Sequence, residues 1–174
     1  MNEVLKSNGI KYGVITGIIA VLGQVLLYIL GNESYKSPII GIVLGIIYWI
    51  VRIFQSIDTK KQMKGIITFK ESFTTLFICI LIGISISSIF NYVFLNFIVE
   101  SSYRDDFNTF LNLSKLELYK AMGKSSSELK EVATTDNFSI AEIGLASIFS
   151  IIVSSIFNLI LAAIFKSKTN PLNE

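Results

Sequence analysis

The sequence has no histidine and a single cysteine, Cys79. Without histidine, the commonest metal ligand and the commonest general acid–base are missing. A lone cysteine forms no intrachain disulfide and says nothing about redox compartment. Charge is scarce as well. Asp, Glu, Lys and Arg make up 16% of the 174 residues, against about a quarter in ordinary soluble domains. The net charge is only +2, and the lysines do not line up with interleaved aromatics, so no nucleic-acid partner is expected. No H-E-x-x-H, G-x-S-x-G or phosphate-binding loop occurs, and no carboxylate pair falls inside an apolar run. Asp105-Asp106 reads as a solvated face. These absences argue against an enzyme, and neither a cofactor nor a metal is expected.

What is present is apolar. Hydrophobic residues make up 52% of the chain, and the mean hydropathy is +0.62. Charges gather at the N-terminus, at Arg52–Glu71, at Glu100–Asp136 and at the C-terminus, with long uncharged stretches between them. A chain that dissolves partly in lipid has this pattern, so membrane lipid is its first expected partner. The expected fold class is all-α, an integral membrane four-helix bundle with a helical extramembrane hairpin between spans three and four.

The first run, residues 10–30, is long enough to cross roughly 30 Å of hydrocarbon. A cleaved signal sequence is the competing reading. Its apolar core would be shorter, about 7–15 residues, and Tyr28-Ile29-Leu30-Gly31 is a poor cleavage site, so the run is expected to be retained. Pro38 opens the second run, 38–54, at the position in a helix where proline fits best. This run is short, and a re-entrant hairpin is its alternative. Tyr48, Trp49 and Arg52 close it as an interfacial aromatic pair and a snorkelling cation. The third run, 73–99, is long and must tilt or project from the bilayer. The fourth, 140–165, is closed by Lys166 and Lys168.

Four spans put both termini on one side. That side carries Lys6, Lys11, Arg52, Lys60, Lys61, Lys64, Lys70, Lys166 and Lys168; the other carries Lys36, Arg104, Lys115, Lys120, Lys124 and Lys130. The excess places both termini in the cytoplasm of a bacterial inner-membrane protein, with the insert 100–139 outside.

The insert reads as two helices. Over Arg104–Met122, the residues Tyr103, Phe107, Phe110, Leu111, Ser114, Leu118, Ala121 and Met122 fall on one face. Asp105, Asn108, Asn112, Lys115 and Lys120 fall opposite. No Gly or Pro interrupts Ile84–Met122, so this helix can continue the third span out of the membrane. Gly123 reads as a C-cap, and Ser125 with Glu128 as the capping box of a short helix over Ser126–Ala133. The stripe through Phe107, Phe110, Leu111 and Leu118 has two readings: cover for the bundle itself, or a docking face for an envelope protein partner.

Small residues mark the spans. Gly9, Gly13 and Gly17 recur every four positions in the first, and Gly41 and Gly45 repeat the spacing in the second. Such spacing brings helix backbones close in lipid, within one chain or in a homo-oligomer. Ser87-Ser88-Ile89-Phe90-Asn91 in the third span recurs as Ser154-Ser155-Ile156-Phe157-Asn158 in the fourth. Ser87, Ser88, Ser154 and Ser155 are expected to pack helices. Asn91 and Asn158 form a candidate polar site, although at different depths. A small inverted repeat around a transport site and chance recurrence are both compatible with this pattern. No acid or base is expected at a span centre, where ion-coupled carriers usually carry one.

Lys11-Tyr12-Gly13 opens the first span. Gly65-Ile66-Ile67-Thr68-Phe69-Lys70-Glu71-Ser72-Phe73 leads into the third, and Phe94-Leu95-Asn96-Phe97-Ile98 closes it. With the charged insert before the last span, these stretches make the chain resemble the domain-of-unknown-function family 4199 of small Bacteroidetes membrane proteins, over nearly its whole length. Val99-Glu100 departs from the Asp-Pro-like turn expected there, so the exit from the third span should differ. The resemblance implies a four-span architecture and no activity. The expected role is a non-catalytic structural or accessory subunit with an external docking hairpin. The alternative is a small oligomeric transporter or channel using the polar faces of spans three and four.

Overall fold

Apolar runs of twenty residues or more satisfy their backbone hydrogen bonds internally only as helices, and the chain is helical almost throughout. A computed structural model describes residues 2–31 and 33–167. The helices are α1 (Glu3–Leu30), α2 (Pro38–Gln62), α3 (Phe69–Val93), α4 (Ser101–Ala121), α5 (Ser126–Thr134) and α6 (Ile140–Phe165), with a π-helical turn at Phe94–Ile98. Four helices are long and apolar enough to cross a membrane: α1, α2, α6, and α3 together with its π turn. Lys168, counted with the basic residues above, lies outside the described residues.

Local chemistry sets the helix starts. The Asn2 side chain accepts from the Val4 amide, and Ser139 accepts from Glu142. Reciprocal capping boxes start α3 at Thr68 and Glu71 and α5 at Ser125 and Glu128, satisfying amides that a first turn leaves free. Gly123 has φ +70°, and Lys124 donates its amide back to the Tyr119 carbonyl at 3.1 Å. That is the left-handed cap for which glycine is favoured.

The third long helix organises the rest. α3 packs along α1 and along α6, and α2 touches all three. α1 and α3 run parallel. Gly9, Gly13 and Gly17 lie beneath Ile78, Ile82 and Ile86, and a Cβ added at each glycine would stand 2.7–2.8 Å from the isoleucine Cβ. A glycine row on one helix therefore receives an isoleucine row on the other, and van der Waals contact replaces the hydrophobic drive that lipid does not supply. α6 runs antiparallel to α3. Ser88 and Ser147 share a hydrogen bond of 2.6 Å, and near the chain ends Ser167 donates its amide to the Ile67 carbonyl at 2.8 Å.

The third span does not continue straight into the insert. The Val99 amide reaches back to the Phe94 carbonyl at 3.0 Å in a π turn, and Val99 and Glu100 are extended. α4 can then fold back over the helix ends. A straight helix would leave Tyr103 and Phe107 in solvent. Instead Tyr103 and Phe138 are buried with Phe94 and Leu95, and Tyr28, Tyr35, Phe107 and Leu111 close around them. Edge-on pairs bind the cluster, with Tyr28 and Tyr103 centroids 4.9 Å apart. Burial, reinforced by Tyr35 and Tyr28, pushes the Tyr103 phenol up to about 12.

One expectation about α4 is reversed. Asn108 and Asn112 do not face solvent. Asn112 is buried and donates to the Thr135 carbonyl at 2.9 Å. Asn137 donates through its side chain to both Asn108 and Asn112. Arg104 clamps both Asp136 oxygens at 2.8 Å and reaches Asn96 at 3.2 Å. This network pins residues 135–138 onto α4 at the end of the protein away from the termini, the hairpin end.

Candidate functional site

α2 carries a polar stripe that decides the interior. Arg52, Gln55, Ser56 and Thr59 recur at three- and four-residue spacing and so share one helix face. Ile53, Phe54 and Ile57 take the other and are exposed. Gln55, Ser56 and Thr59 are buried. Gln55 donates to the Thr75 carbonyl at 2.8 Å, and Asn8 donates to Thr59 at 3.3 Å. Thr75 donates to the Leu5 carbonyl at 3.1 Å. These bonds join α1, α2 and α3 at the end that carries both termini.

Arg52 is the head of this stripe. The sequence suggests that the span ends at Phe54 and that Arg52 snorkels at its edge. The helix instead continues to Gln62, because Gln55, Ser56 and Thr59 find partners inside the protein and need no water. About 21 Å of helix precedes Arg52 and about 15 Å follows it. The Lys11–Asp58 ion pair, 3.1 Å long, marks a polar edge, and Arg52 stands about 9 Å of helix inward of Asp58. A permanent base therefore lies among the helices, about one and a half turns from that ion pair. Tyr48 and Trp49 move inward with it. Tyr48 lines the cavity around Arg52, and Trp49 packs edge-on against Phe157 of α6 with ring centroids 5.6 Å apart.

The Arg52 guanidinium has little to hold. Nη2 donates to Ser154 Oγ on α6 at 3.4 Å, and Nε is buried with no hydrogen-bond partner among the described residues. None of the ion pairs among those residues involves it. It faces a cavity of about 180 Å³ shared with Thr16, Cys79, Ser87, Ser150 and Ser154. A second cavity, of about 260 Å³, lies toward the hairpin end, with Gln24, Ser88, Asn91 and Ser147 on its wall and Asn137 and Phe138 also lining it. Ile84, Ser87 and Ser150 line both. The two cavities thus form a column of hydroxyls and amides from the pinned 135–138 segment to Arg52.

The residues singled out in the sequence distribute as follows. Ser87 and Ser154, the first serines of the two repeated segments, meet on the Arg52 cavity. Ser88 pairs with Ser147 rather than with the other copy, and Ser155 bonds back to the Ile151 carbonyl of its own helix. Asn91 lines the upper cavity. Asn158 is fully buried, and neither side-chain atom has a partner among the described residues. The repeat therefore brings the first serine of each copy to one chamber and keeps its asparagines apart. Gly9, Gly13 and Gly17 pack against α3, whereas nothing in the described chain lies within 4 Å of a Cβ at Gly41 or Gly45. Phe107 and Leu111 cover the aromatic cluster, Phe110 packs against Tyr35, and Leu118 is exposed.

Sequence reasoning missed Arg52, Gln55 and Thr59 as interior groups. Their helical spacing was the available signal, with isoleucine and phenylalanine filling the opposite face. Among the described residues no three His, Cys, Asp or Glu side chains gather as a metal site would need.

The sequence model of the family described as a protein of unknown function (DUF4199) matches residues 11–167. The chain belongs to this family. The match runs from Lys11, within α1, to Ser167, the residue that ties the end of α6 to Ile67, so α2, α3, α6, the hairpin and most of α1 fall within the DUF4199 region. No curated protein and no solved structure matches the chain.

Proposed function

We propose that this DUF4199 protein is a non-catalytic membrane protein that holds a small polar solute between its helices, as a carrier or channel does. One observation carries the proposal: Arg52 faces a cavity edged by hydroxyls, with no carboxylate partner among the described residues. A guanidinium within a span is costly, up to ~2.5–3.5 kcal/mol at the helix centre on insertion scales, and such residues mark solute or ion pathways by default. A purely structural bundle avoids that cost with a leucine or pairs the arginine with an acid. Ser87 and Ser154 bring the polar faces of spans three and four to the same chamber, with α2 supplying the charge. The excess of Lys and Arg around the termini favours a bacterial inner membrane with both termini cytoplasmic, which would open the upper cavity toward the outside.

Access to the chamber tests this. In a Cys79→Ser background, single cysteines at Ser88, on the upper cavity, and at Ile152, on the exposed face of α6, are treated with a small water-soluble thiosulfonate in intact cells. Ser88→Cys should react well ahead of Ile152→Cys. Equal silence at both would remove the solute chamber. A cysteine at Ser126, labelled with an impermeant maleimide before or after lysis, reads the orientation.

A second role, docking of an envelope protein on the hairpin, is favoured by one feature. Leu118 and Met122 are 58% and 62% exposed on α4, beyond the part of the stripe that covers the aromatic cluster. Photocrosslinking from Leu118 should capture a partner if this face docks; adducts confined to the protein itself would count against it.

A further inference from the structure

We infer that the solute is a small oxyanion held at Arg52. The inference rests on the solute-chamber proposal and names the chemistry of the same site. Arg52 is the one permanently charged group among the residues that line either cavity, and no carboxylate lines them. The remaining polar lining is neutral: hydroxyls of Thr16, Ser87, Ser150 and Ser154 around Arg52, and amides of Gln24, Asn91 and Asn137 above. A single positive charge between low-dielectric walls concentrates anions and repels cations.

The donors suit an oxyanion in particular. Nε of Arg52 is buried and unpartnered, and Nη2 is held only by Ser154 at 3.4 Å. A guanidinium presents parallel N–H groups to two oxygens of one carboxylate or phosphate-like group. Ser154 Oγ accepts from Arg52, which leaves its own proton to donate to the same anion. The cavity of about 180 Å³ has room for a group of a few heavy atoms with some of its water. Above it, the Gln24 side-chain amide nitrogen is buried without a partner among the described residues and Gln24 lines the upper cavity, whereas Ser87 and Asn137 donate within the protein. A lipid phosphate headgroup has the same chemistry, and exposed Ser150 and Ala146 on α6 line these cavities, so protection by acetate or by phosphatidylglycerol separates a water-borne anion from a headgroup.

Cys79 makes the test direct, because it lines the Arg52 cavity and is the sole cysteine of the chain. The full chain in phosphatidylcholine vesicles is treated with an anionic thiosulfonate (sulfonatoethyl) and a cationic one (trimethylammonioethyl). The anionic reagent should modify Cys79 about tenfold faster or more. Millimolar sodium acetate should slow it. Arg52→Gln should abolish both the preference and the protection. Arg52→Lys should keep the preference for the anionic reagent and lose most of the acetate protection, since an ammonium lacks the fork. If Arg52→Gln fails to fold, the reagent preference and acetate protection of the unaltered protein still decide.

Equal rates for the two reagents, or no slowing by acetate, would overturn the oxyanion assignment. If Ser88→Cys is reactive in the same membranes, the chamber itself survives that result. Protection by added phosphatidylglycerol but not by acetate would replace the water-borne anion with a lipid headgroup. A Cys79 silent to both reagents would also overturn it, because no anion could then reach the cavity that Arg52 shares.

Discussion

Gly13 lies directly beneath Ile82: a methyl group on Gly13 would stand 2.8 Å from the isoleucine Cβ and 3.0 Å from the Cys79 carbonyl oxygen. The backbone oxygen cannot step aside, so the close approach of α1 and α3 depends on the missing side chain. Gly13→Ala gains about 1 kcal/mol of helix propensity and loses about 1–3 kcal/mol to overpacking, so net destabilisation is expected. Gly41→Ala meets nothing within 4 Å and should be neutral or stabilising. Unfolding in graded denaturing detergent compares the two. A stable Gly13→Ala would mean the helices are less closely apposed than described.

Asn137 holds the segment above the upper cavity. It takes part in bonds to Asn108, Asn112 and Lys115, and Asn112 is itself buried. Asn137→Ala leaves those groups short of partners, at about 1–3 kcal/mol. The loss should be local. Amide exchange in residues 126–139 should rise, while the buried amides around Leu76 in α3 stay protected. Unchanged exchange in the hairpin would show that the ring cluster alone fixes it.

The start of α5 should respond to acid. Hydrogen bonds from Lys124, from the Ser125 amide and from the Ser125 hydroxyl, in that order, lower the Glu128 carboxyl from 4.5 to about 2. A depressed folded value means that the contribution is complete above pH 4.5 and fades as pH falls toward 2. Exchange at the first amides of α5 should therefore be flat above pH 4.5, after correction for intrinsic rates, and increase below it. Glu128→Gln should remove the dependence. Glu128 is surface-exposed, so the effect is confined to this turn.

Asn158 has no partner among the described residues for either end of its amide in a fully buried position. Burying such a group unsatisfied costs about 1–3 kcal/mol in proteins. Asn158→Leu should therefore raise stability in detergent by an amount of that order, provided that leucine fits the space. A clear loss of stability instead would indicate that the amide is bonded in the folded protein and that Asn158 is structural.

Much of the architecture was legible because lipid enforces it. Run lengths marked four helices, the Ser125–Glu128 spacing marked a capping box, and glycines every four residues in the first span marked a close helix contact without its partner. Other features were set by partners distant in sequence. Gln55 and Thr59 look like loop residues until Thr75 and Asn8 are beside them, and the helix that carries them runs on to Gln62. The break at Val99–Glu100 carries no Gly or Pro; Tyr103, Phe107 and Phe138 impose it by burial. Ser87 and Ser154 were identified through their repeat, but the arginine they surround was visible only as a face of α2.

The parallel pairing of α1 with α3 also constrains how the protein is made. Two parallel helices cannot be neighbours in a simple hairpin, and Gly9, Gly13 and Gly17 each meet an isoleucine 69 positions downstream. When α1 leaves the ribosome, the surface that fits its glycine row has not yet been translated. α1 and α2 must enter the bilayer as a provisional pair, and the groove on α1 stays filled by lipid until the third helix arrives. Assembly of the interior is thus timed by synthesis of Ile78 to Ile86, and the chamber around Arg52 closes only when α6, the last helix to be translated, is delivered.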